Sequence, residues 1–349
     1  MTYTTIIPDE TRRRAAEYVA AVRSGRRQPG QRLGRALEEV GLDGLEELDV
    51  GRFLQELMNT KEPQIFAESA VAGDGSDWSA EELGMLGDVS VSVPVRVFDN
   101  GNHDSPVVHD EPFRATLVYT PGALLRNGRG CVPADWDEVT DANGGLCAEG
   151  YYGLYRRRLL PVLRHINDVA AGAGCQALVT VPGMGCGQFA GPFRGALGRA
   201  LEEVLRRLLG EFGSDLPAIR AIYYDPFDEC ENGRHEIHGV SLMVRPLRRG
   251  NGGKSQLCRP EALADEGDDF SGLALFSLVA WDHVSWPGND FFAGSRCTDD
   301  GVKAAATDSM RVLTGVEGSY DAGCGKYMPP RAYRTWGEVV DRNGLVLRV

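Results

Sequence analysis

The sequence lacks the features of a membrane protein and those of a disulfide-stabilised or zinc-binding protein. No uncharged apolar run approaches the roughly 18 residues that a membrane span needs, and the first residues do not have the basic-then-apolar order of a signal peptide. The 8 cysteines are scattered, without a CxxC pair or metal-finger spacing. We therefore expect a cytoplasmic protein with reduced thiols, no metal site and no membrane partner.

An excess of basic residues is also missing. The chain of 349 residues has 37 Lys and Arg against 50 Asp and Glu, so its formal net charge at pH 7 is −13. Proteins that bind nucleic acid neutralise phosphates with a basic surface, and this balance therefore argues against a nucleic-acid partner. The acidic excess lies in two segments, 99–150 and 225–300, whose net charges of −6 and −7 account for all of it. A function that depends on acidic side chains is expected there.

What the sequence has in abundance is glycine, together with an alternation of strand and helix patterns. It contains 44 glycines, well above the usual share of about 7%, which indicates many loops and close backbone approaches. The order of the patterns predicts an α/β fold in which helices cover a mixed sheet. The predicted strands are 89–98, 114–119, 176–181, 219–224, 239–245 and 273–280, and the predicted helices are 151–171, 192–212 and 299–314.

The first 80 residues have a different character. Helical spacing predicts helices over 11–23 and 42–58, whereas residues 72–79 (AGDGSDWS) are rich in turn formers. Ser79 and Glu82 then form a capping-box pattern at the start of a short helix. We predict a helical N-terminal extension over residues 1–80 and the main α/β domain over residues 81–349. Within that domain, Pro94 predicts a position at the edge of the sheet for strand 89–98.

The strongest local signal is a glycine-rich loop at 183–191 (GMGCGQFAG), between the strand 176–181 and the helix 192–212. Glycines allow backbone N–H groups to approach a phosphate, and the free amides of a helix N-terminus add partial positive charge. The pattern is neither a Walker A sequence nor GxGxxG, which disfavours a plain NTPase or dehydrogenase. The loop therefore predicts an anion site, and the alternative is a tight turn without a ligand.

Cys186 lies within this loop. A helix N-terminus could lower the pKa of its thiol and make it a nucleophile. The surrounding sequence does not complete a nucleophile elbow, and we favour a buried, unreactive thiol.

The second signal is a run of aspartates after the strand 273–280, at Asp282, Asp290, Asp299 and Asp300. Ligands of α/β proteins bind at the carboxyl ends of strands. Carboxylates brought together there would raise one another's pKa and suit glycosidic chemistry, in which one acid orients water and another serves the leaving group. The alternative is structural, because Asp299 or Asp300 could cap a helix and Asp290 could stabilise the loop.

Three smaller features carry less weight. His235 and His238 do not have the spacing of a zinc pair. Arg156–Arg158 is more typical of a solvated helix face than of a phosphate clamp. His283 is a candidate proton donor only through its position beside Asp282.

At the loop and the aspartate run, the sequence resembles a macrodomain, and more narrowly the arginine-specific ADP-ribosylhydrolases of the MavL type. PGMGCGQFAG with the helix after it is similar to the macrodomain diphosphate loop, and WDHVSWPGNDFFAGSRCTDDGVKAA is similar to that family's active-site stretch, in which three aspartates recur at intervals of 8 and 10. The resemblance extends from about residue 89 to the C-terminus. It implies a macrodomain fold for the predicted catalytic domain, with residues 119–125 in place of the Asn-Ala-Asn loop of ordinary macrodomains.

The resemblance also implies the activity and its residues. It predicts a hydrolase that removes ADP-ribose from arginine on a modified protein, with ubiquitin as one candidate, and that uses no cofactor. The catalytic residues it implies are Asp282, Asp290 and Asp300. Phe291 or Phe292 is expected to flank a ribose or the adenine. The full set of predicted ligand-binding residues is Gly183, Met184, Gly185, Cys186, Gly187, Gln188, Phe189, Asn289, Phe291, Phe292 and Asp299.

Three alternatives stay open at the level of sequence. The chain could be a reader that binds ADP-ribose without hydrolysing it. It could be a magnesium-dependent glycohydrolase, because clustered aspartates also suit Mg²⁺. It could also be a thiol hydrolase built on Cys186.

Overall fold

An eight-stranded mixed sheet forms the centre of the structure. It is seen in a computed structural model that describes residues 2–39 and 48–348. In chain order the strands are β1 (Thr4–Ile6), β2 (Ser90–Asp99), β3 (Val108–Pro121), β4 (Ala177–Pro182), β5 (Ile219–Asp225), β6 (Gly233–Ile237), β7 (Val240–Val244) and β8 (Ala274–Trp281). A separate hairpin consists of β9 (Ser319–Asp321) and β10 (Lys326–Met328).

The sheet is parallel in its middle and antiparallel at both ends. Its order is β1-β2-β3-β8-β4-β5-β7-β6, with parallel pairing from β3 through β8, β4 and β5 to β7 and antiparallel pairing elsewhere. Every residue of β4 and β7 is buried. Near-continuous apolar runs of this kind are typical of strands that are covered on both faces.

Helices cover both faces of the sheet and create two hydrophobic cores, so the predicted α/β fold is confirmed. Helices α7 and α8 pack on one face, and the N-terminal and C-terminal helices pack on the other. In chain order the helices are α1 (Asp9–Arg23), α2 (Gln31–Glu39), α3 (Val50–Asn59), α4 (Ala67–Ala70), α5 (Ala80–Gly87), α6 (Trp136–Val139), α7 (Ala148–Gly172), α8 (Leu197–Phe212), α9 (Pro260–Leu263), α10 (Asp299–Ala305), α11 (Ser309–Thr314) and α12 (Trp336–Asn343).

The N-terminal segment is continuous with this architecture. Strand β1 extends the central sheet by pairing with β2, and Leu54 and Leu57 of α3 belong to the same core as β2. The capping box at Ser79 and Glu82 is present as predicted. The first part of the predicted helix 42–58 lies outside the described residues, and α3 begins at Val50. The domain boundary near residue 80 stays a prediction.

Strand β2 is an edge strand for part of its length, as predicted from Pro94. The contacts along this edge also explain why the prediction of one continuous helix over 299–314 is wrong. Strand β1 pairs only with Ser90–Ser92 of β2, and the chain at 306–308 pairs further along, where Phe98 N donates to Ala306 O and Asp308 N donates to Arg96 O. The Asp308 carboxylate also accepts from Arg96 N at 2.6 Å. Because these residues leave helical geometry to pair with β2, the predicted helix 299–314 is divided into α10 and α11.

Two further differences concern helices. The predicted helix 192–212 begins only at Leu197, because Gly191–Phe193 forms a 3-10 turn and Gly195 adopts φ +88° in front of α8. Helix α12 was not predicted. Across residues 2–39 and 48–348, no helix combines the length and the apolar character that crossing a membrane requires.

The carboxyl ends of β3, β8, β4 and β5 lie at one edge of the sheet because these strands are parallel. The loop after β3 reaches across β8 to the glycine loop after β4, and Leu125 N donates to Phe189 O at 2.9 Å. The contact is close, since a Cβ on Gly122 would lie 2.7 Å from Gly185 Cα. Glycine at these two positions therefore serves backbone packing that holds the 183–191 loop in place.

We predict that Gly122→Ala destabilises the protein by about 1–3 kcal/mol, because the added methyl group overlaps backbone that cannot move away without displacing the loop. Gly210→Ala is the matched control. Gly210 lies in α8 with no atom near its Cβ position, and the substitution should stabilise the helix by about 0.5–1 kcal/mol. Urea denaturation of both variants measures the difference, and equal stabilities would contradict the packing role.

Candidate active site

Two cavities of about 550 and 570 Å³ meet at the carboxyl ends of β4 and β8. One extends towards Asp225 at the end of β5 and is called here the Asp225 cavity. The other extends towards Asp300 and is called the Asp300 cavity. Each has the volume of a small-molecule site. They form one elongated cleft, since both are lined by Gly183, Gly187, Ala280 and Asp299.

The glycine loop runs along the centre of this cleft. Gly187 lines both cavities, and the space around its Cβ position is open. The amides of Gly187, Gln188 and Phe189 donate to no acceptor among the residues that the structure describes. Backbone N–H groups without a protein acceptor, next to an open cavity, are suited to a phosphate.

The second half of the anion-site prediction, the free helix N-terminus, is wrong. The Glu229 carboxylate accepts hydrogen bonds from Gly195 N at 3.1 Å and from Gly198 N at 2.6 Å. An acidic side chain of the protein therefore occupies the position at the start of α8 that an anionic ligand would need. The backbone amides of the loop are left as the anion-binding feature.

Met184 and Cys186 differ in position within the loop. The Met184 side chain is buried behind the cleft lining, and its carbonyl accepts from the Tyr155 hydroxyl at 2.7 Å. Cys186 lines the Asp225 cavity, but it is 7% exposed. Burial raises the pKa of its thiol well above the ordinary value. A thiol that stays protonated is a poor nucleophile, in agreement with the favoured interpretation.

Asp282 follows β8 directly and lines the Asp300 cavity. One carboxylate oxygen accepts from Val284 N at 2.7 Å and Ser285 N at 2.6 Å, and the other accepts from Asn289 Nδ2 at 2.7 Å. Burial raises the pKa of Asp282, whereas the nearby Lys61 opposes this rise. Three N–H donors and an ammonium group thus favour the charged form of a buried carboxylate.

Asp300 lies in the first turn of α10 and lines the same cavity. Its Oδ1 accepts from Gly288 N at 2.6 Å, but its buried Oδ2 has no hydrogen-bond partner among the described residues. Burial raises the pKa of Asp300 well above the ordinary value, and the charges of Asp282 and Asp290 raise it further. Asp300 has fewer hydrogen-bond donors than Asp282, and the charges of two neighbouring aspartates favour its protonated form.

Asp290 does not line the cleft in this structure. Its carboxylate accepts from the Thr298 hydroxyl, from Cys297 N at 2.8 Å and from Thr298 N at 3.4 Å. A methyl group at Gly301 would collide with this carboxylate. These contacts agree with the alternative in which Asp290 stabilises the loop. They do not support direct contact between Asp290 and a ligand.

Asp299 lies where the two cavities meet, and its Oδ2 accepts from Ala280 N at 2.8 Å and from Lys303 Nζ at 3.1 Å. The capping alternative is wrong for both Asp299 and Asp300, because Thr298 caps α10 by accepting from Gly301 N at 3.0 Å. Both aspartates still lie in the first turn of the helix, where negative charge is favoured.

The residues around Asp290 divide into cleft and core. Asn289 lines the Asp300 cavity, whereas Phe291 and Phe292 are each 1% exposed and belong to the hydrophobic core. The prediction that one of these rings flanks a ribose or the adenine is wrong, because both side chains of the 3-10 helix Asn289–Ala293 are buried in the core. Of the predicted residues, the cleft brings together Gly183, Gly185, Cys186, Gly187, Gln188, Phe189, Asp282, Asn289, Asp299 and Asp300.

Comparison with known proteins decides the family. The model of the macrodomain effector MavL family matches residues 3–333. The chain belongs to this family. No curated protein matches the chain. The mixed sheet with helices on both faces is accordingly a macrodomain fold, and membership indicates ADP-ribose binding or hydrolysis at the level of the family.

The match also corrects the extent of the resemblance. It begins at residue 3, so the family model includes the helical N-terminal segment, which the sequence analysis left outside the resemblance. In this macrodomain the segment contacts the loop beside the candidate active site directly. Glu62 N donates to Val284 O, and Trp286 N donates to Glu62 O, at 2.9 and 2.8 Å. These bonds tie the N-terminal segment to the loop that follows Asp282.

Lys61 is the most informative residue that sequence reasoning missed. Its ammonium group is buried, donates to His283 O at 2.5 Å and lies 4.0 Å from the centre of the Trp281 ring. Burial lowers the pKa of Lys61 to about 7, although Asp282 and Asp300 act in the opposite direction. No local pattern marked this lysine, because the acids near it lie more than two hundred residues further along the chain.

A second buried network lies behind the macrodomain cleft and corrects two interpretations. Arg158 is buried rather than solvated, and it donates to Asp135 at 2.7 Å and to Gly122 O at 2.9 Å. His283 Nε2 lies 3.2 Å from the same Asp135 carboxylate. Burial lowers the pKa of His283, and His283 does not line the cleft. The network therefore supports the β3 loop and the backbone beside Asp282.

Two arginines at the rim of the cleft were also missed. Arg126 lines the Asp300 cavity and donates to Gln188 Oε1 at 2.9 Å. Arg194 lines the Asp225 cavity and is exposed. They stand on the two sides of the uncharged glycine loop, where each could approach a phosphate. Sequence alone could not select them from the other arginines of the chain.

The different roles of Asp290 and Asp300 predict opposite effects on stability. Asp290→Ala leaves the donors of Cys297 and Thr298 without an acceptor and should cost about 1–3 kcal/mol of unfolding free energy. Asp300→Asn retains an acceptor for Gly288 N and removes the free-energy cost of burying an ionisable carboxyl group, so its stability should equal or exceed that of the wild type. Chemical denaturation at neutral pH measures both changes.

The pH dependence of the Asp300→Asn effect supplies the check. The pKa of Asp300 is raised by folding, so protonation of this group stabilises the native state below its unfolded pKa, and that contribution is lost as pH rises towards the folded value. The advantage of Asp300→Asn over wild type should therefore grow from acid to neutral pH. Asp137→Asn, at an exposed position, is the control. A constant advantage would contradict the assignment.

Proposed function

We propose that this macrodomain is a hydrolase that removes mono-ADP-ribose from arginine side chains of a modified protein in the cytoplasm. The observation that carries the proposal is the pair formed by Asp282 and Asp300 at one end of a cleft whose centre is an uncharged amide loop. Asp300 lines this end of the cleft, and its buried Oδ2 has no hydrogen-bond partner among the described residues. An acid held neutral beside an ionised one is a recurrent arrangement for glycosidic chemistry.

The diphosphate is placed on the backbone amides of Gly187, Gln188 and Phe189, with Arg126 and Arg194 at its sides. This placement directs one end of the ligand into each cavity. The adenosine end then occupies the Asp225 cavity, and the ribose that carries the arginine occupies the Asp300 cavity. Neutral backbone donors contribute to anion binding beside these two arginines, and they do so without a charged side chain in the loop itself.

Hydrolysis breaks the bond between the anomeric carbon and the guanidinium nitrogen, and its electron pair stays on nitrogen. A water oxygen bonds to the anomeric carbon and loses a proton to the Asp282 carboxylate. The Asp300 carboxyl group supplies a proton to the released guanidine. The negative charge of Asp282 also stabilises the oxocarbenium-like transition state. Asp290 acts as a positioning residue, through the 297–298 backbone that precedes Asp299 and Asp300.

The test is release of ADP-ribose from arginine-modified proteins, with ADP-ribosylated ubiquitin among them. We expect wild-type turnover, a loss of about 10²–10⁴-fold in kcat for Asp300→Asn, and unchanged affinity of that variant for free ADP-ribose by calorimetry. Cys186→Ser is the control and should retain wild-type turnover. Loss of activity in this control would favour the thiol hydrolase instead.

A non-catalytic reader is the second candidate, because the carboxylate oxygens of Asp282 and Asp290 are largely occupied by backbone donors. Wild-type protein that binds ADP-ribose but releases none from arginine would establish this reading. The magnesium-dependent alternative has less support, since no group of three His, Cys, Asp or Glu side chains in the described part of the chain is arranged to hold a metal ion. Turnover that survives exhaustive chelation would remove it.

The charge of the chain gives a further prediction. An acidic protein with a formal net charge of −13 attracts a basic modified protein, and salt weakens that attraction. We expect kcat/KM on a basic ADP-ribosylated protein to fall steeply as ionic strength approaches 1 M, where the Debye length is about 3 Å. A small ADP-ribosylated arginine compound is the control and should show a weaker dependence. Equal dependence for both substrates would contradict long-range attraction.

A further inference from the structure

Glu68 is an acidic residue of the cleft that neither the family match nor the aspartate run assigns. It lies on α4, in the N-terminal segment, and lines the Asp300 cavity together with Asp282 and Asn289. The residue is 8% exposed. Its one side-chain hydrogen bond among the described residues is a long one, 3.4 Å between Oε1 and the Ser69 hydroxyl. Glu68 is thus a largely buried carboxylate with unused acceptor capacity at the edge of a cavity.

The backbone that carries Glu68 is fixed relative to Asp282. Gly128 N donates to Glu68 O at 2.8 Å on one side of α4. On the other side, Ile65 N donates to Asn289 Oδ1 at 3.2 Å, and Asn289 Nδ2 donates to Ile65 O at 3.0 Å and to Asp282 Oδ2 at 2.7 Å. Asn289 therefore connects Ile65, two residues before α4, to the proposed catalytic carboxylate, which gives the backbone of Glu68 a preorganised position.

The charges around Glu68 do not neutralise it. Burial raises the pKa of Glu68 and the nearby Asp282 adds to this rise, whereas its own backbone N–H and, to a smaller degree, Arg126 act in the opposite direction. Arg126 lines the same cavity, but its guanidinium contacts Gln188 and forms no ion pair with Glu68 among the described residues. A largely buried carboxylate without an ion pair is costly. A cationic ligand with several N–H groups would compensate it.

We propose that Glu68 binds the guanidinium group of the ADP-ribosylated arginine and so acts as a specificity residue. The inference rests on the proposed function, and it adds the group that recognises the leaving side chain. A guanidinium carries five N–H donors in a plane and matches a carboxylate through two parallel hydrogen bonds. Asp282 and Asp300 then serve the anomeric carbon, and Glu68 holds the arginine.

The kinetic test compares Glu68→Gln with wild type on an ADP-ribosylated arginine peptide. Loss of a charge-assisted pair should lower kcat/KM by about tenfold to a hundredfold, while the affinity for free ADP-ribose stays unchanged. Glu68→Asp should recover part of the loss. Glu261→Gln is the matched control, because Glu261 lies on the equally short helix α9, is exposed and does not line the cleft. Thermal unfolding of each variant verifies folding.

A binding test separates this inference from the proposed hydrolysis. Agmatine, a small guanidinium compound, is titrated into protein saturated with ADP-ribose. We expect wild type and Glu261→Gln to bind it equally and Glu68→Gln to bind it at least about tenfold more weakly. Equal agmatine affinity of wild type and Glu68→Gln would overturn the role of Glu68. Absence of arginine hydrolysis by wild type would instead reject the proposed function, while the agmatine result would still decide whether Glu68 recognises guanidinium.

Discussion

Repulsion between carboxylates at the carboxyl end of β8 is the constraint on which the cleft depends. Asp282, Asp290 and Asp300 are all buried, and each charge must be offset by N–H donors, by a cation or by a proton. The structure uses all three means. Backbone amides and Asn289 satisfy Asp282, and the 297–298 segment satisfies Asp290. Asp300 has a raised pKa and one oxygen without a partner in the described part of the chain. Because the charges of these three aspartates are offset in different ways, identical side chains have different chemical properties.

The same constraint explains why the N-terminal segment belongs to the site. Lys61 is a buried lysine whose charge interacts with Asp282 and Asp300, and it is held in place because the chain at 61–62 pairs with the loop 284–286. Asn289 and Ile65 make a second connection a few residues later. Removal of this segment would take away a counter-charge and one wall of the Asp300 cavity. The segment is therefore part of the cleft and not a separate addition to the domain.

The two halves of the cleft have opposite electrostatic character, because one offers hydrogen-bond donors and the other offers carboxylates. The loop 183–191 has no charged side chain and offers backbone N–H donors, which suit a diphosphate. Because the loop carries no cation, it forms no ion pair with the acids beside it. The Asp300 cavity has four acids in its lining and one arginine, which suits a cationic group. An elongated ligand that is anionic in its middle and cationic at one end fits both halves.

Local patterns were enough to predict the fold class and to locate the glycine-rich loop and the aspartate run, because these depend on apolar runs, glycine spacing and acids placed just after a strand. They did not determine which acids face the ligand. Asp282 and Asp290 look alike in sequence, but in the folded chain Asp282 lines the cleft and Asp290 accepts hydrogen bonds from a loop. Glu229 occupies the helix N-terminus at which the sequence pattern predicted a phosphate. Lys61 and Glu68 join the site through pairing with residues more than two hundred positions away. Such long-range contacts exist only in the folded chain, and the burial that they produce raises the pKa of Asp282, Asp300 and Glu68.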